Sequence, residues 1–279
     1  MTVESSDVWE NQARQWERVG SPLRPSAEDH KFMTAVINDV DSRIGKPHAL
    51  LLGVTPEMAT LPWPQGSELL AVDCSQSMID TVWPGFPRPG EGVLRANWLN
   101  LPLQQRSRNL VLSDGPFGVL CGPSEYEGLL HNIRRILMPG GLFTFRVFLQ
   151  AEVKEEPDAV YRAVMDGEIN GFHTFKLRLL MAHQPDDQSG VRVGDVWSSW
   201  ATDGPGADAL AECCGWPLAQ IETINAYRDQ DSIYTFPTLQ QLRAQMLVEG
   251  FSEVSCSRPT YELGERCPTL VFDHLAEFE

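Results

Sequence analysis

Short apolar runs recur along the first half of the chain, at residues 48–53, 68–73, 92–95, 109–114 and 142–149. None of them alternates cleanly between apolar and polar positions, and this is the pattern of strands covered on both faces. The segments between the runs carry helix signals, among them Ser75 as an N-cap and Pro123 at the start of an amphipathic stretch. The pattern predicts parallel strands of one sheet, in the order β-α-β-α-β-β-α-β.

The alternation of strand and helix patterns ends at Gln150. Residues 151–182 contain no strand-like run and predict two helices, at 157–169 and 171–183. Residues 191–235 are rich in Trp, Asp and Gly, with short helices expected at 207–214 and 217–227. We interpret residues 151–235 as a mainly helical insertion above the sheet.

Regular α/β order returns after the insertion. Residues 238–251 predict a helix that ends at Gly250, a glycine in the position of a helix C-cap. Two final strands are expected at 252–257 and 268–275, on either side of a turn-rich segment. These two strands could form a closing antiparallel pair.

Composition narrows the function classes. The 279 residues carry 22 Lys and Arg against 38 Asp and Glu, a formal charge of −16, so no domain-wide positive field is available to hold nucleic acid. The six cysteines lack paired spacing and nearby histidines, which predicts buried free thiols and no metal site. The N-terminus is polar and no stretch of membrane-spanning length lacks charges. We expect a soluble cytoplasmic protein that binds neither nucleic acid nor membrane.

In open parallel sheets, ligands bind beyond the carboxyl ends of the strands. The predicted strands end in LLGVTPEMA, AVDCSQSMI, RANWLNLPL and LVLSDGPFGVL, and LMPGGLFTF leads into the fifth. In this order and spacing the series resembles the class I S-adenosylmethionine (SAM)-dependent methyltransferases over roughly residues 45–150. A weaker match covers 236–274. AVDCSQSMI and LMPGGLFTF are the most specific pieces.

The resemblance implies a fold and a division of the chain. The fold is α/β, with a seven-stranded, mostly parallel Rossmann-like methyltransferase sheet, helices on both faces and a mainly helical insertion. The division is an N-terminal helical cap (1–44), a SAM-binding core (45–150), the insertion as substrate lid (151–235), and the C-terminal part of the core sheet (236–279).

The resemblance also implies a cofactor site. In it, Asp73 would bind both ribose hydroxyls, Asn97 and Trp98 would hold the adenine, Ser113 and Asp114 would lie beside the methionine portion, and residues 139–141 would turn into the fifth strand. The expected cofactor-binding residues are Gly53, Val54, Thr55, Asp73, Cys74, Met78, Asn97, Trp98, Ser113 and Asp114.

Each residue also has a structural interpretation. A carboxylate at a strand end can accept two hydroxyl hydrogen bonds, but an Asp there can equally start a turn or cap a helix. Asn97 can be a turn residue, and Trp98 can serve packing rather than stacking on a base. Met78 fits the core of a helix and could also line an adenine pocket.

The first loop departs from the family pattern. The family has an acidic residue in the strand and then three alternating glycines, whereas this chain has Leu51 and retains only Gly53. Thr55 and Glu57 put side chains where backbone would approach the cofactor. Thr55 also suits an N-cap and Pro56 the first helical position. Asp114 or the N-terminal segment would then have to meet the cofactor's amino end.

The altered loop divides the functional hypotheses. The protein is a SAM-dependent methyltransferase acting on a small molecule, or a non-catalytic methyltransferase-like protein that binds SAM, S-adenosylhomocysteine or another nucleoside. A third hypothesis is a fold that serves only as an interaction module. The retained hydroxyl acceptor at Asp73 speaks against that third one.

The flanking segments supply candidates for a substrate pocket. Trp9 and Trp16 lie at helical spacing before the first strand, and Arg24 is a cation that could meet a carboxylate. The insertion adds His173, His183, Trp197, Trp200, Tyr227 and Tyr234. Methyl transfer depends chiefly on positioning, and no residue is singled out as catalytic. The acidic surface favours a small-molecule acceptor, with a cationic or amine-bearing one fitting that charge.

Overall fold

A seven-stranded sheet is the centre of the protein, in a computed structural model that describes residues 6–85, 92–186 and 189–274. Its strands are β1 (His48–Leu52), β2 (Glu68–Asp73), β3 (Gly92–Arg95), β4 (Arg108–Asp114), β5 (Leu137–Arg146), β8 (Phe251–Ser257) and β9 (Thr269–His274). They lie in the order β3-β2-β1-β4-β5-β9-β8. The first five are parallel and β9 is antiparallel to both of its neighbours. This confirms the predicted fold class and the closing antiparallel pair; residue 275 of the last predicted strand lies outside the described residues.

The central strands bury side chains on both faces. On β1, Leu50 and Leu52 belong to one core, while Ala49 and Leu51 belong to the core on the opposite face. All four are at most 1% exposed. An apolar run without alternation is therefore what a strand covered on both faces requires.

Helices cover the sheet on both sides. Those of the core and the N-terminal segment are α1 (Ser6–Arg14), α2 (Ala27–Arg43), α3 (Pro56–Ala59), α4 (Gln76–Thr81), α5 (Pro123–Ile136) and α11 (Leu239–Val248). Ser75 caps α4 by accepting a hydrogen bond from the Met78 amide, and Pro123 opens α5. Gly250, at φ +81°, follows α11 in the left-handed conformation expected of a C-cap glycine.

The segment between β5 and α11 is mainly helical and has its own core. It contains α6 (Pro157–Met165), α7 (Phe172–His183), β6 (Val191–Arg192), α8 (Val193–Asp203), α9 (Ala207–Cys214), α10 (Leu218–Ile221) and β7 (Ile233–Tyr234). The small antiparallel β6-β7 ribbon and α8 were not expected from the sequence. Phe172, Phe175 and Trp216 pack edge to face or tilted within this core.

The Pro139-Gly140-Gly141 turn lies inside β5 as an irregularity of the strand. Arg108 of β4 pairs with Leu137, and regular pairing resumes at Leu142 after a register shift. A Cβ on Gly141 would lie 2.9 Å from the Met138 carbonyl oxygen, closer than real Cβ atoms come. Glycine at this position therefore lets the chain fold tightly into the strand.

The described residues contain neither a membrane-spanning helix nor a cluster of metal ligands. None of their helices is both long and apolar enough to cross a bilayer. No three of their His, Cys, Asp and Glu side chains come together in a group that could hold a metal ion. All six cysteines are free thiols, but the expectation that they are buried holds only for Cys267. Cys121 and Cys213 are exposed, and the other three are half-buried.

Candidate functional site

A cavity opens at the carboxyl ends of β1, β2 and β4, where the loops after these strands meet α1 and α7. Parallel strands bring their carboxyl ends to one edge of the sheet, so residues far apart in sequence share this site. Seven of the residues expected at a cofactor site line it: Gly53, Val54, Thr55, Asp73, Met78, Trp98 and Asp114.

The other three expected residues are not among those that line the cavity. Ser113 is fully buried, and its hydroxyl donates to the Leu52 carbonyl at 3.2 Å, which ties β4 to β1. Asn97 accepts a hydrogen bond from the Leu99 amide at 2.9 Å and so caps a short 3-10 turn. Cys74 is half-buried, and burial raises the pKa of its thiol to about 11. A neutral thiol at this position is inert under ordinary conditions.

Asp73 ends β2 with its carboxylate facing the cavity. Its Oδ1 accepts from the Ser75 amide at 2.8 Å, and the side chain forms no ion pair within the described part of the chain. Burial raises the pKa of Asp73 to about 6, against the lowering effect of the backbone amides of Ser75 and Cys74. The result is a fixed carboxylate with acceptor capacity left for a ligand.

Gly53 and Trp98 form the floor beside Asp73. Gly53 has φ +93°, and a Cβ there would lie 3.8 Å from Cζ2 of Trp98. The Trp98 indole donates to the Val72 carbonyl at 2.7 Å, the same oxygen that accepts from the Gly53 amide. Trp98 is therefore held in place by a hydrogen bond and presents its ring to the cavity. Trp98 thus packs against the strand ends and also lines the cavity, and its contact with adenine stays a prediction.

The loop after β1 carries two unusual side chains, Thr55 and Glu57, and they lie in different places. Thr55 lines the cavity and occupies the N-cap position of α3, but its side chain makes no capping hydrogen bond. Glu57 instead pairs with Arg24 of the N-terminal segment, whose Nε donates to Glu57 Oε1 at 2.6 Å. Arg24 also lies over the Trp16 ring, 5.1 Å from its centroid. Glu57 is not among the cavity-lining residues.

Asp114 lines the cavity, but both of its oxygens are bound within the protein. Arg146 of β5 donates from Nε and Nη2 to the two oxygens, at 2.7 and 3.0 Å. Arg146 is fully buried and also donates to the Pro22 carbonyl at 2.6 Å, while Asp29 lies 3.8 Å away. Burial raises the pKa of Asp114, and the adjacent guanidinium opposes that rise. A bidentate pair of this kind fixes the end of β4 under the N-terminal segment.

The opposite wall of the cavity is apolar and largely aromatic. It comes from α1 and the segment after it, and from the segment between β5 and α11. Its members include Trp9, Gln12, Trp16, Val19, Phe148, Lys176, Leu177, Leu180, Tyr227, Tyr234 and Phe236. Four of these, the two tryptophans and the two tyrosines, were candidates from sequence.

Four other candidates from the insertion do not line the cavity in the structure. His173 Nε2 lies 2.9 Å from the Arg18 carbonyl oxygen, and burial lowers the pKa of His173 to about 4. Trp200 belongs to the insertion core, Trp197 donates to the Asn225 side chain, and His183 is partly buried. The two tryptophans therefore pack within the insertion, and His173 joins it to the N-terminal segment.

Lys176 is the charged residue among those lining the cavity that sequence reasoning missed. It lies on α7, where ten of twelve residues are buried. A helix that is apolar on nearly all sides is a buried helix, and a lysine within it must be paired, neutral or functional. That contrast between Lys176 and its apolar neighbours was the available signal.

Sequence comparison identifies the core of the chain. Residues 50–145 match the family described as a methyltransferase domain. No curated protein matches the chain. The matched segment runs from β1 to β5 and contains Gly53, Asp73 and Asp114 of the cavity.

Three solved structures show how widely the fold is shared. The CcbJ methyltransferase of Streptomyces caelestis has a TM-score of 0.57 at 13% identity, over 99% of this chain and 100% of that one. A SAM-dependent methyltransferase from Methanosarcina mazei has a TM-score of 0.50 at 13% identity, over 83% and 94%. A Rhodobacter sphaeroides protein provisionally named a Zn-dependent alcohol dehydrogenase has a TM-score of 0.62 at 13% identity, over 98% and 100%. At such identities these structures share the fold alone, and the family match covers residues 50–145: this segment of the chain is similar to a methyltransferase domain and forms most of a Rossmann-like sheet.

Proposed function

We propose that this protein transfers the methyl group of SAM to a small molecule. The observation that carries the proposal is one continuous cavity with two unlike halves. Its floor has Gly53 and the carboxylate of Asp73 at strand ends, and its opposite wall is aromatic. A polar recognition group beside a concave apolar pocket is the usual form of a small-molecule site.

The nucleoside half of SAM fits the floor. Asp73 offers an ionisable carboxylate, and two vicinal ribose hydroxyls are suitable donors to it. Gly53 leaves open space above the backbone, because a side chain there would project toward Trp98 and Thr55. Met78 and Trp98 supply apolar surface for the base. We assign the adenosine to this end.

The methionine half of SAM meets the loop after β1. Thr55 carries a hydroxyl into the cavity, and Glu57 Oε2 is buried without a hydrogen-bond partner although Oε1 is bound to Arg24. The ion pair with Arg24 offsets the charge of Glu57, and neither side chain is among the residues that line the cavity. The methionine half would then lie beside the Thr55 hydroxyl. The altered first loop is therefore compatible with cofactor binding.

The residues of this chain would act by positioning the cofactor and the methyl acceptor relative to each other. When bound, SAM supplies a methyl group on a sulfonium centre, which is transferred by in-line displacement. Asp73 and Trp98 would orient the nucleoside, and the aromatic wall would hold the acceptor on the opposite side. Trp9 and Trp16 line the cavity and would limit the access of water to a bound cofactor. Proximity and orientation of this kind account for much of the acceleration in transfers between two bound molecules.

Calorimetric titration with SAM and with S-adenosylhomocysteine tests the proposal. We expect both to bind, because each contains the ribose that Asp73 receives, and the tryptophans of the cavity should report the binding by a change in fluorescence. Failure of both ligands to bind at millimolar concentration would remove methyl transfer and non-catalytic SAM binding together. The acceptor is then sought among small molecules by following conversion of SAM to S-adenosylhomocysteine.

The affinity for S-adenosylhomocysteine should depend on pH through Asp73. Only the ionised carboxylate accepts from both ribose hydroxyls, and the pKa of Asp73 is raised to about 6 in the free protein. As pH falls through that value the site becomes protonated, and affinity should decrease toward tenfold per pH unit. Calorimetry from pH 8 to pH 5 measures this. The Asp73→Asn variant should bind weakly and lack the step, and an unchanged step in that variant would assign the titration to another group.

A further inference from the structure

Lys176 is a buried cation in the acceptor half of the cavity. It lies on α7 and is 1% exposed. Its Nζ donates to the Thr223 carbonyl at 3.0 Å and lies 4.4 Å from the centroid of the Tyr227 ring. An ammonium has three donors, and within the described residues only this one hydrogen bond and the face of one ring are provided for them.

No carboxylate offsets this charge in the part of the chain that the structure describes. Of the two carboxylates that line the cavity, Asp114 is bound to Arg146 and Asp73 lies at the end of β2. The titratable groups around Lys176 are His173 on the same helix and Tyr227, against which Tyr234 of β7 packs. His173 is engaged with the Arg18 carbonyl. His173, Tyr227 and Tyr234 carry no negative charge at neutral pH.

The environment of Lys176 disfavours its charged form. Burial lowers the pKa of Lys176 to about 7, so the neutral amine and the ammonium are both populated near neutral pH. A buried ammonium is costly unless a counter-ion and further hydrogen bonds accompany it. Among the described residues, Lys176 Nζ has one hydrogen-bond acceptor, the Thr223 carbonyl. Its remaining N–H groups can donate to an anionic oxygen of a ligand.

We propose that Lys176 binds an anionic oxygen of the methyl acceptor, so that the acceptor is an apolar molecule with an acidic hydroxyl or a carboxylate. The proposal rests on the proposed function and names the substrate class for the same cavity. The aromatic wall suits a flat or apolar body, and Nζ supplies the one cation among its members. The charge of the pocket is thus opposite to the acidic surface, from which an amine-bearing acceptor was expected.

A phenol would transfer its proton to Lys176 as it binds. Its O–H bond breaks, the proton forms a new N–H bond on the neutral amine of Lys176, and the phenolate stays paired with the resulting ammonium. No proton is exchanged with solvent in this step. A carboxylate would pair with lysine that is already protonated. In both cases the anion supplies a counter-ion that none of the described residues provides at this position.

The test uses para-nitrophenol, whose phenolate absorbs visible light, and para-nitroanisole as its uncharged counterpart. Binding is measured in the presence and absence of saturating S-adenosylhomocysteine. We expect the wild-type protein to prefer para-nitrophenol at least tenfold and to increase its phenolate band at slightly acidic pH. Lys176→Met should lose the preference and the band while keeping its affinity for para-nitroanisole. Lys176→Arg should retain the preference because it keeps the cation.

Two controls separate the possible failures. Lys154→Met removes an exposed lysine of the same insertion and should leave the preference unchanged. Binding of S-adenosylhomocysteine reports folding and the nucleoside site independently of Lys176. If the wild-type protein binds S-adenosylhomocysteine but shows no preference for para-nitrophenol, or if Lys176→Met keeps that preference, the role of Lys176 is disproved. If S-adenosylhomocysteine does not bind at all, the proposed function fails instead.

Discussion

Replacing Asp73 with alanine is expected to weaken the binding of S-adenosylhomocysteine by about 100-fold or more. A hydrogen bond to a charged acceptor contributes about 1.5–3 kcal/mol to the binding free energy. We propose that two ribose hydroxyls donate to this carboxylate. Losing both costs about 3 kcal/mol, which corresponds to roughly a 100-fold change in Kd. Isothermal titration of both proteins at neutral pH gives this ratio directly.

Asp80→Asn is the matched control for that substitution. Asp80 is an exposed carboxylate on α4, two residues beyond Met78, and it accepts a hydrogen bond from Gln76 at 2.8 Å. It lies outside the set of cavity-lining residues, so its variant should bind with wild-type affinity. Equal affinities for wild type and Asp73→Ala would mean that the ribose binds elsewhere.

Replacing Arg146 with methionine should lower the free energy of unfolding by about 3–5 kcal/mol. Arg146 is fully buried and holds both oxygens of Asp114. Removing it leaves a buried carboxylate that must be protonated or stay charged without a partner, and it also removes the donor to the Pro22 carbonyl. Urea unfolding followed by fluorescence measures the loss.

Two further variants identify the cause of that loss. Combining Arg146→Met with Asp114→Asn should recover part of the stability, because the carboxylate is no longer left without a counter-charge. Arg43→Met breaks an exposed pair with Asp39 and should cost only about 0–1 kcal/mol. If Arg146→Met is no more harmful than Arg43→Met, the buried pair does not stabilise the end of β4 as argued.

The strands of the core were predictable because burial on both faces imposes a simple pattern. An unbroken apolar run such as 48–53 fits a strand of this kind, and the structure has β1 at His48–Leu52. Helix α8 was missed although Val193, Val196 and Trp200 recur at helical spacing. The glycines and aspartates of that region concealed the period. The two-residue strands β6 and β7 have no local pattern, since their pairing joins residues about 40 positions apart.

Some residues of the candidate site could likewise be named from the sequence, whereas the partners of others could not. Asp73 could be named from sequence because a strand end fixes its place, and its role at the ribose stays a prediction. The partner of Glu57 could not be named, since Arg24 lies 33 positions away on a segment of irregular structure. The pairing of Asp114 with Arg146 likewise depends on the register of β4 and β5. Side-chain charges in the cavity are therefore set by tertiary contacts that no local pattern reports.

The first loop shows why motif loss and loss of function are separate questions. Three glycines let backbone approach a cofactor, and this chain keeps one of them, Gly53, at the floor of the cavity. Glu57 is turned toward Arg24, so its charge is offset rather than aimed into the cavity. The loop thus leaves the cavity open, and the choice between methyl transfer and passive binding depends on the acceptor half.

One cavity is expected to hold the nucleoside at Asp73 and the acceptor beside Lys176. A crystal structure of the complex with S-adenosylhomocysteine would locate both halves of this cavity. We expect both ribose hydroxyls within hydrogen-bond distance of the Asp73 carboxylate and the sulfur facing the aromatic wall. A nucleoside bound outside this cavity, or inside it with the ribose against Tyr227 and Lys176, would disprove this arrangement.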